Sequence, residues 1–217
     1  MTYTVLALDR DRTAIGVATA SCALAVGAVV PALDPRVGAV ASQAWTNERL
    51  RGLMLGALRD GCSPAAAVDR LSAWDSEVEL RQVGVLGIDG RGAAFTGRAT
   101  TAWRGHEVDD GVVVLGNILT GPEVLGAMRA GLRLGSSDAP AGASELARAL
   151  VRALAAGEAA GGDSRGRQSA AVLVAEVGAN VLEYDLRVDD APDPVGELAR
   201  LVELRAQIRA KVSARRR

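Results

Sequence analysis

The chain has 217 residues, 49% of them hydrophobic and 24% charged, with a formal net charge of −1. This is ordinary globular composition, long enough to bury a sizeable core, and it lacks the basic bias of a nucleic-acid footprint. The nearest approach to a membrane span, SCALAVGAVVPAL, is too short and too broken by Gly and Pro.

Elements follow in order along the chain. TYTVLAL (2–8) and TAIGVATAS (13–21) read as strands joined by the turn DRDRT, a first hairpin. VGAVASQAW (37–45) is a third strand of small residues, suited to burial on both faces. The period then changes. NERLRGLMLGALRDG (47–61) places Leu50, Leu53, Met54 and Leu58 at helical spacing, with Gly61 as a stop. SPAAAVDRLSAW (63–74) is a second helix with Ser63 as N-cap and Pro64 at its first position. RQVGVLGID and AAFTG form a hairpin over 81–97, and WRGHEVDD is a polar loop. VVVLGNIL (112–119) is a buried strand. Helices over 121–135 and 144–157 follow, with SSDAPAGAS (136–144) as the loop between them. SAAVLVAEVG and VLEYDLRV (169–188) make the last hairpin, and 193–210 is an amphipathic helix capped by Asp193. The terminal SARRR reads as a solvated end.

Strands in hairpins and helices in pairs point to α+β architecture with mostly antiparallel sheets, not to a doubly wound fold. Strands apolar on both faces need cover on both sides. A four-layer αββα sandwich, two sheets between helix layers, meets these requirements. No linker divides the chain, so 1–217 reads as a single domain.

The unusual residues cluster at four places. GGDSRGRQS (161–169) reads either as a surface loop or as a pocket wall. In the second case Asp163 orients an arginine, and Gln168 and Ser169 supply neutral hydrogen bonds. In LGNILTG, Asn117 leaves an apolar strand and either donates to an oxyanion or satisfies the chain reversal. In ASQAWTN, Thr46 or Asn47 serves as a helix N-cap, a role not open to Gln43; Ser21 stands similarly at the end of the second strand. DLRVDDAPDP carries four aspartates, but its spacing fits no metal loop and an Arg187–carboxylate pair is the better use. No metal and no cofactor is expected.

Only Lys211 among the 25 basic residues is a lysine, so arginine carries any cationic role in a pocket. Cys22 and Cys62, without a signal peptide, read as reduced thiols of a cytoplasmic protein. One histidine, His106, and no G-x-S-x-G elbow leave no route to a serine triad. A catalyst here needs another base. The start MTYTVLALD offers one. Removal of Met1 leaves an α-amine, with a reference pKa near ~8, beside the Thr2 hydroxyl. The plainer role of Thr2 is a β-former at a strand start.

MTYTVLALD, VGAVASQAWTN, GNILTGPEVLGAM and AAGGDSRGRQSAAVLV, in this order and over nearly the whole chain, resemble the bacterial domain-of-unknown-function 1028 family. That family is grouped with the N-terminal nucleophile (Ntn) hydrolases. The resemblance implies an Ntn-hydrolase-like αββα fold and Thr2 as nucleophile. Ala191-Pro192-Asp193-Pro194 departs from the family's His-Pro-Asp-Pro, and Thr46-Asn47-Glu48 from its Thr-Asn-Pro. The expectation is an Ntn-type amidohydrolase of a small amide. Thr2 and Asn117 are its catalytic residues, and Ser21, Gln43, Asp163, Arg165, Gln168 and Ser169 line its substrate site. The alternative is a non-catalytic ligand-binding or assembly protein on that scaffold. The expected partners are a small molecule and a second copy in a homodimer, with neither nucleic acid nor membrane.

Overall fold

A computed structural model describes residues 2–132 and 142–215. Its strands, in chain order, are β1 (Thr2–Leu8), β2 (Ala14–Ser21), β3 (Pro31–Asp34), β4 (Gly38–Ala44), β5 (Arg81–Gly87), β6 (Gly92–Thr96), β7 (Gly105–Asp109), β8 (Val112–Asn117), β9 (Ser169–Glu176) and β10 (Tyr184–Val188). Its helices are α1 (Val26–Val29), α2 (Arg49–Arg59), α3 (Pro64–Val68), α4 (Leu71–Trp74), α5 (Glu123–Gly131), α6 (Ala143–Ala159) and α7 (Pro194–Arg215). The strands pair in two antiparallel sheets, ordered β10-β9-β2-β1-β8-β7 and β3-β4-β5-β6.

Strand periodicity divides each side-chain set between two faces. On β1, Leu6 and Leu8 point between the sheets, where they meet Ile15, Val17, Ala39, Leu86, Val113 and Leu115. Tyr3, Val5 and Ala7 point outward, against Leu125, Met128, Leu146, Leu150 and Leu154 of α5 and α6 and Leu198 of α7. The smaller sheet repeats the arrangement. Val40, Val83 and Val85 turn outward onto Leu50, Met54, Leu58 and Leu71 of α2 and α4. The order of layers is helix, sheet, sheet, helix. Burial of both strand faces is why these segments read as continuous apolar runs. The contact of α6 with β2 is close enough to require Gly16, where a Cβ would lie 2.6 Å from Leu150 Cδ1 and 2.9 Å from Leu173 O.

Three segments differ from the sequence expectation. The polar loop around His106 is instead the edge strand β7, which among the described residues pairs with β8 alone. An edge strand tolerates charge, and Glu107 and Asp109 pair with Arg129 of α5. The helix expected over 63–74 is two short ones. Ser63 caps the first, accepting from Ala66 N at 3.2 Å, and i→i+3 bonds from Arg70 N and Ala73 N turn the chain between them. α1 and β3 form where the sequence pattern predicts no element. Asp193 does cap α7, accepting from Gly196 N. Of the expected loop 136–144, residues 136–141 lie outside the described residues, as do 133–135 of the expected helix and Met1. No helix among the described residues is long and apolar enough to cross a membrane.

Candidate functional site

At one end of the sandwich the inward positions change from apolar to polar. They read Thr2, Thr4, Leu6, Leu8 on β1; Ile15, Val17, Thr19, Ser21 on β2; Val113, Leu115, Asn117 on β8; Ala39, Ala41, Gln43 on β4; and Gln82, Gly84, Leu86 on β5. Antiparallel register brings the polar ends together, because Thr2 pairs with Asn117, Ser21 with Ser169, Gln43 with Gln82, and Gln82 with Thr96. Thr2, Thr4, Thr19, Ser21, Gln43, Gln82 and Asn117 are all buried.

Buried polar atoms need partners, and here they supply one another across the two sheets. Thr4 Oγ1 donates to Gln43 Oε1 at 2.6 Å and lies 2.8 Å from Thr19 Oγ1. Gln43 Nε2 donates to Thr2 O at 3.2 Å and to Gln82 Oε1 at 2.8 Å. Gln82 Oε1 also accepts from Asn117 Nδ2 at 3.0 Å. Gln82 Nε2 in turn donates to Thr96 Oγ1, Gly105 O and Gly116 O at 2.8–3.0 Å. The carboxamides of Gln43 and Asn117 are therefore oriented by one acceptor atom. Thr2 Oγ1 donates to Ser21 Oγ at 3.4 Å.

A pocket of about 210 Å³ opens beside this network, lined by Ala44, Trp45, Thr101, Asn117, Ile118 and Arg165. Two of these residues, Ala44 (φ 73°) and Ile118 (φ 50°), are in the left-handed region. For a β-branched residue this is a genuine outlier, and it persists only where surrounding bonds impose it. Ile118 N donates to Thr101 O, Leu119 N to Trp103 O, and Ser164 N to Ile118 O. Trp45 is fixed at N by Leu80 O and at O by Arg81 Nη1. Arg81 is in turn held by Asp75, whose carboxyl the Arg81 guanidinium, Asn47 and the Glu77 amide depress to about 2. A left-handed residue thus stands at the end of β4 and another directly after β8, each next to hydrogen-bonded backbone.

A family model described as "Family of unknown function (DUF1028)" matches residues 2–198. The chain belongs to this family. Among solved structures it is similar to protein SPO2555 from Silicibacter pomeroyi, assigned to the same family model. The two are 34% identical with a TM-score of 0.82, over 93% of this chain and 88% of that one. No curated protein matches.

In this DUF1028 chain the expected site residues fall into two groups. Thr2, Ser21, Gln43 and Asn117 meet at the polar end, and Arg165 lines the pocket. Asp163 stands behind Arg165, buried, and accepts from Cys22 N at 2.7 Å and Arg165 N at 2.8 Å; it thereby ties the 161–168 loop to the end of β2. Gln168 and Ser169 serve elsewhere. Gln168 Nε2 donates to Asp190 at 3.2 Å, and Ser169 Oγ donates to Ala23 O and accepts from Val26 N, bracing the start of α1. Ala191 packs on the outer apolar cluster while its N–H donates to Gln168 O.

Sequence reasoning passed over Thr4, Thr19 and Gln82. The period-2 signal that marks Gln43 marks them as well. It also passed over the cluster behind Thr2, where Tyr3 Oη donates to Glu158 at 3.5 Å and Arg167 pairs with Glu158 at 3.0 Å. Burial, with the Glu158 charge, pushes the Tyr3 phenol above its ordinary range, and burial pushes Glu158 up. His106 Nδ1 lies 2.8 Å from Thr96 Oγ1, and burial lowers its pKa. Among the described residues no group of three or more His, Cys, Asp or Glu is placed to hold a metal ion.

Proposed function

We propose that the chain is a single Ntn-hydrolase-like domain that cleaves a small amide with Thr2 as nucleophile, in the cytoplasm and as a homodimer. The observation that carries this reading is the position of Thr2. Its hydroxyl is buried at the polar end, 3.4 Å from Ser21 Oγ, and its register partner Asn117 lines the adjoining pocket. With Met1 removed, the Thr2 α-amine takes the hydroxyl proton, directly or through water, as Oγ1 attacks the amide carbon. The developing oxyanion is met by Asn117, whose carboxamide Gln82 holds in place. The amine leaves with the proton, and water hydrolyses the Thr2 ester. Ser21 accepts from the nucleophile in the resting state, and Gln43 fixes the Thr2 carbonyl.

Mass spectrometry of active protein should show a chain beginning at Thr2. An intact Met1 in fully active protein would sink the mechanism. An amide-directed electrophile should add one acyl group at Thr2 and none to Thr2→Ala. One observation favours a non-catalytic binding protein instead: Thr2 is not among the residues that line the pocket. On that reading Thr2→Ala leaves both ligand binding and cellular phenotype unchanged.

A further inference from the structure

The pocket has a sign. Arg165 is the charged residue in its lining, Thr101 and Asn117 are neutral and polar, and Ala44, Trp45 and Ile118 are apolar. Arg165 is paired with Asp163, but the two are disposed differently: the Asp163 side chain is 2% exposed and that of Arg165 44%. The short bonds of the Asp163 carboxylate go to backbone N–H groups, while its contacts with the guanidinium are 3.3–3.4 Å. Charge-assisted bonds are typically ~2.7–2.9 Å. The Asp163 carboxylate lies buried behind the guanidinium, so an incoming ligand meets the guanidinium before the carboxylate. A planar guanidinium matches a carboxylate, and a cation with a carboxylate already behind it suits a monoanion better than a dianionic phosphate.

The pocket also has a shelf. Trp45 is 66% exposed although its backbone is bonded at both N and O. An exposed indole beside a pocket offers a large apolar contact surface. The volume of about 210 Å³ falls below the ~300–1,000 Å³ of sites for drug-sized ligands, so the ligand is small.

We infer that the pocket takes a small monocarboxylate, an N-acylated amino acid, whose carboxylate binds Arg165 and whose acyl group lies along Trp45. The scissile amide in this inference rests on Thr2 being a nucleophile; the carboxylate contact does not.

The test uses the full chain carrying Thr2→Ala, titrated by calorimetry with N-acetylglycine, N-benzoylglycine and the neutral carboxamide of each. The acids should bind at least about tenfold more tightly than their carboxamides, the loss expected of one hydrogen-bonded charge. Arg165→Gln, which removes the charge, should remove that preference, and Trp45→Ala should weaken N-benzoylglycine more than N-acetylglycine. Equal binding of acid and carboxamide, failure of both acids to bind, or displacement of a bound acid as readily by inorganic phosphate overturns the inference. If Arg165→Gln does not fold, the acid–carboxamide comparison on the unaltered arginine decides alone. Wild-type protein separates the two readings. Binding of the acids without hydrolysis keeps the ligand class and removes the hydrolase; equal hydrolysis of acid and carboxamide keeps the hydrolase and removes the ligand class.

Discussion

Gln82 is fully buried, and its carboxamide takes part in five hydrogen bonds that join β5 to both sheets. Gln82→Met keeps the volume and removes all five. Two of the partners, Gln43 Nε2 and Asn117 Nδ2, are buried donors, and two more are the carbonyls of Gly105 and Gly116. At about 1 kcal/mol for each lost bond, less a gain of about 1 kcal/mol from the more apolar side chain, the substitution should destabilise the fold by about 3–5 kcal/mol. For a chain of this size that corresponds to a fall in Tm of roughly 6–20 °C. Urea unfolding followed by circular dichroism measures it, through a shift in midpoint at constant m. Gln82→Glu should be no better, because a carboxylate cannot donate to the three Nε2 acceptors. A loss below about 1 kcal/mol for Gln82→Met would refute the reasoning, since the ladder would then contribute no more than one ordinary bond.

Three further outcomes follow from local geometry. Asp75 is held at about 2 by Arg81, Asn47 and the Glu77 amide, so its contribution is present above the unfolded carboxylate pKa and lost as pH falls from about 4 towards 2. Its magnitude is on the order of 2 kcal/mol, and Asp75→Asn should remove that part of the acid slope in a pH series of unfolding curves. Asp34 keeps a share of the same slope. Burial alone would raise its pKa, but bonds from Arg36 and Arg59 overrule that and hold it at about 2. Ala44→Gly relieves a left-handed alanine at φ 73° and should change stability by zero to about +1 kcal/mol, after the entropy of glycine is set against the strain. A loss of more than about 1 kcal/mol would show that the Ala44 methyl is needed. Gly16→Ala places a Cβ 2.6 Å from Leu150 Cδ1 and 2.8 Å from Val174 Cγ2, and should destabilise by about 1–3 kcal/mol in the same assay.

The strands that build the sandwich were legible because both their faces are buried, and β-branched, apolar runs report that directly. β7 was not legible. Its Gly105, His106, Glu107 and Asp109 are what an edge strand tolerates, and the same residues suit a loop. At the site, Ser21, Gln43 and Asn117 were readable as polar residues near the ends of apolar strands, and Thr2 as the hydroxyl that removal of Met1 would leave beside a free amine. Gln82, second in β5, has an equal claim, but its importance appears only once β5 is seen to lie opposite β8, with its amide reaching Gly116 O and Asn117 Nδ2. Ser169 shows the converse. It lies in register with Ser21, yet its hydroxyl is taken by Ala23 O and Val26 N of a turn that no pattern in the sequence announced. Trp45, Thr101 and Ile118 line the pocket because Ala44 and Ile118 turn left-handed, and neither an alanine nor an isoleucine signals that conformation.

The same side chains therefore serve two ends. Where Leu6, Leu86 and Leu115 stop filling the space between the sheets, the carboxamides of Gln43, Gln82 and Asn117 take over the task of joining them. A hydrogen-bonded ladder specifies orientation as well as distance, which apolar packing does not. That is what a site needs from its supporting shell, since a carboxamide rotated by half a turn presents an acceptor where an oxyanion requires a donor. Asn117 is held by one bond to the atom that also holds Gln43, and Gln43 holds the Thr2 carbonyl. Substitutions in the ladder should for this reason disturb Thr2 and the pocket together, whereas substitutions in the apolar layer, such as Leu86→Val, should lower stability and leave the polar end in register.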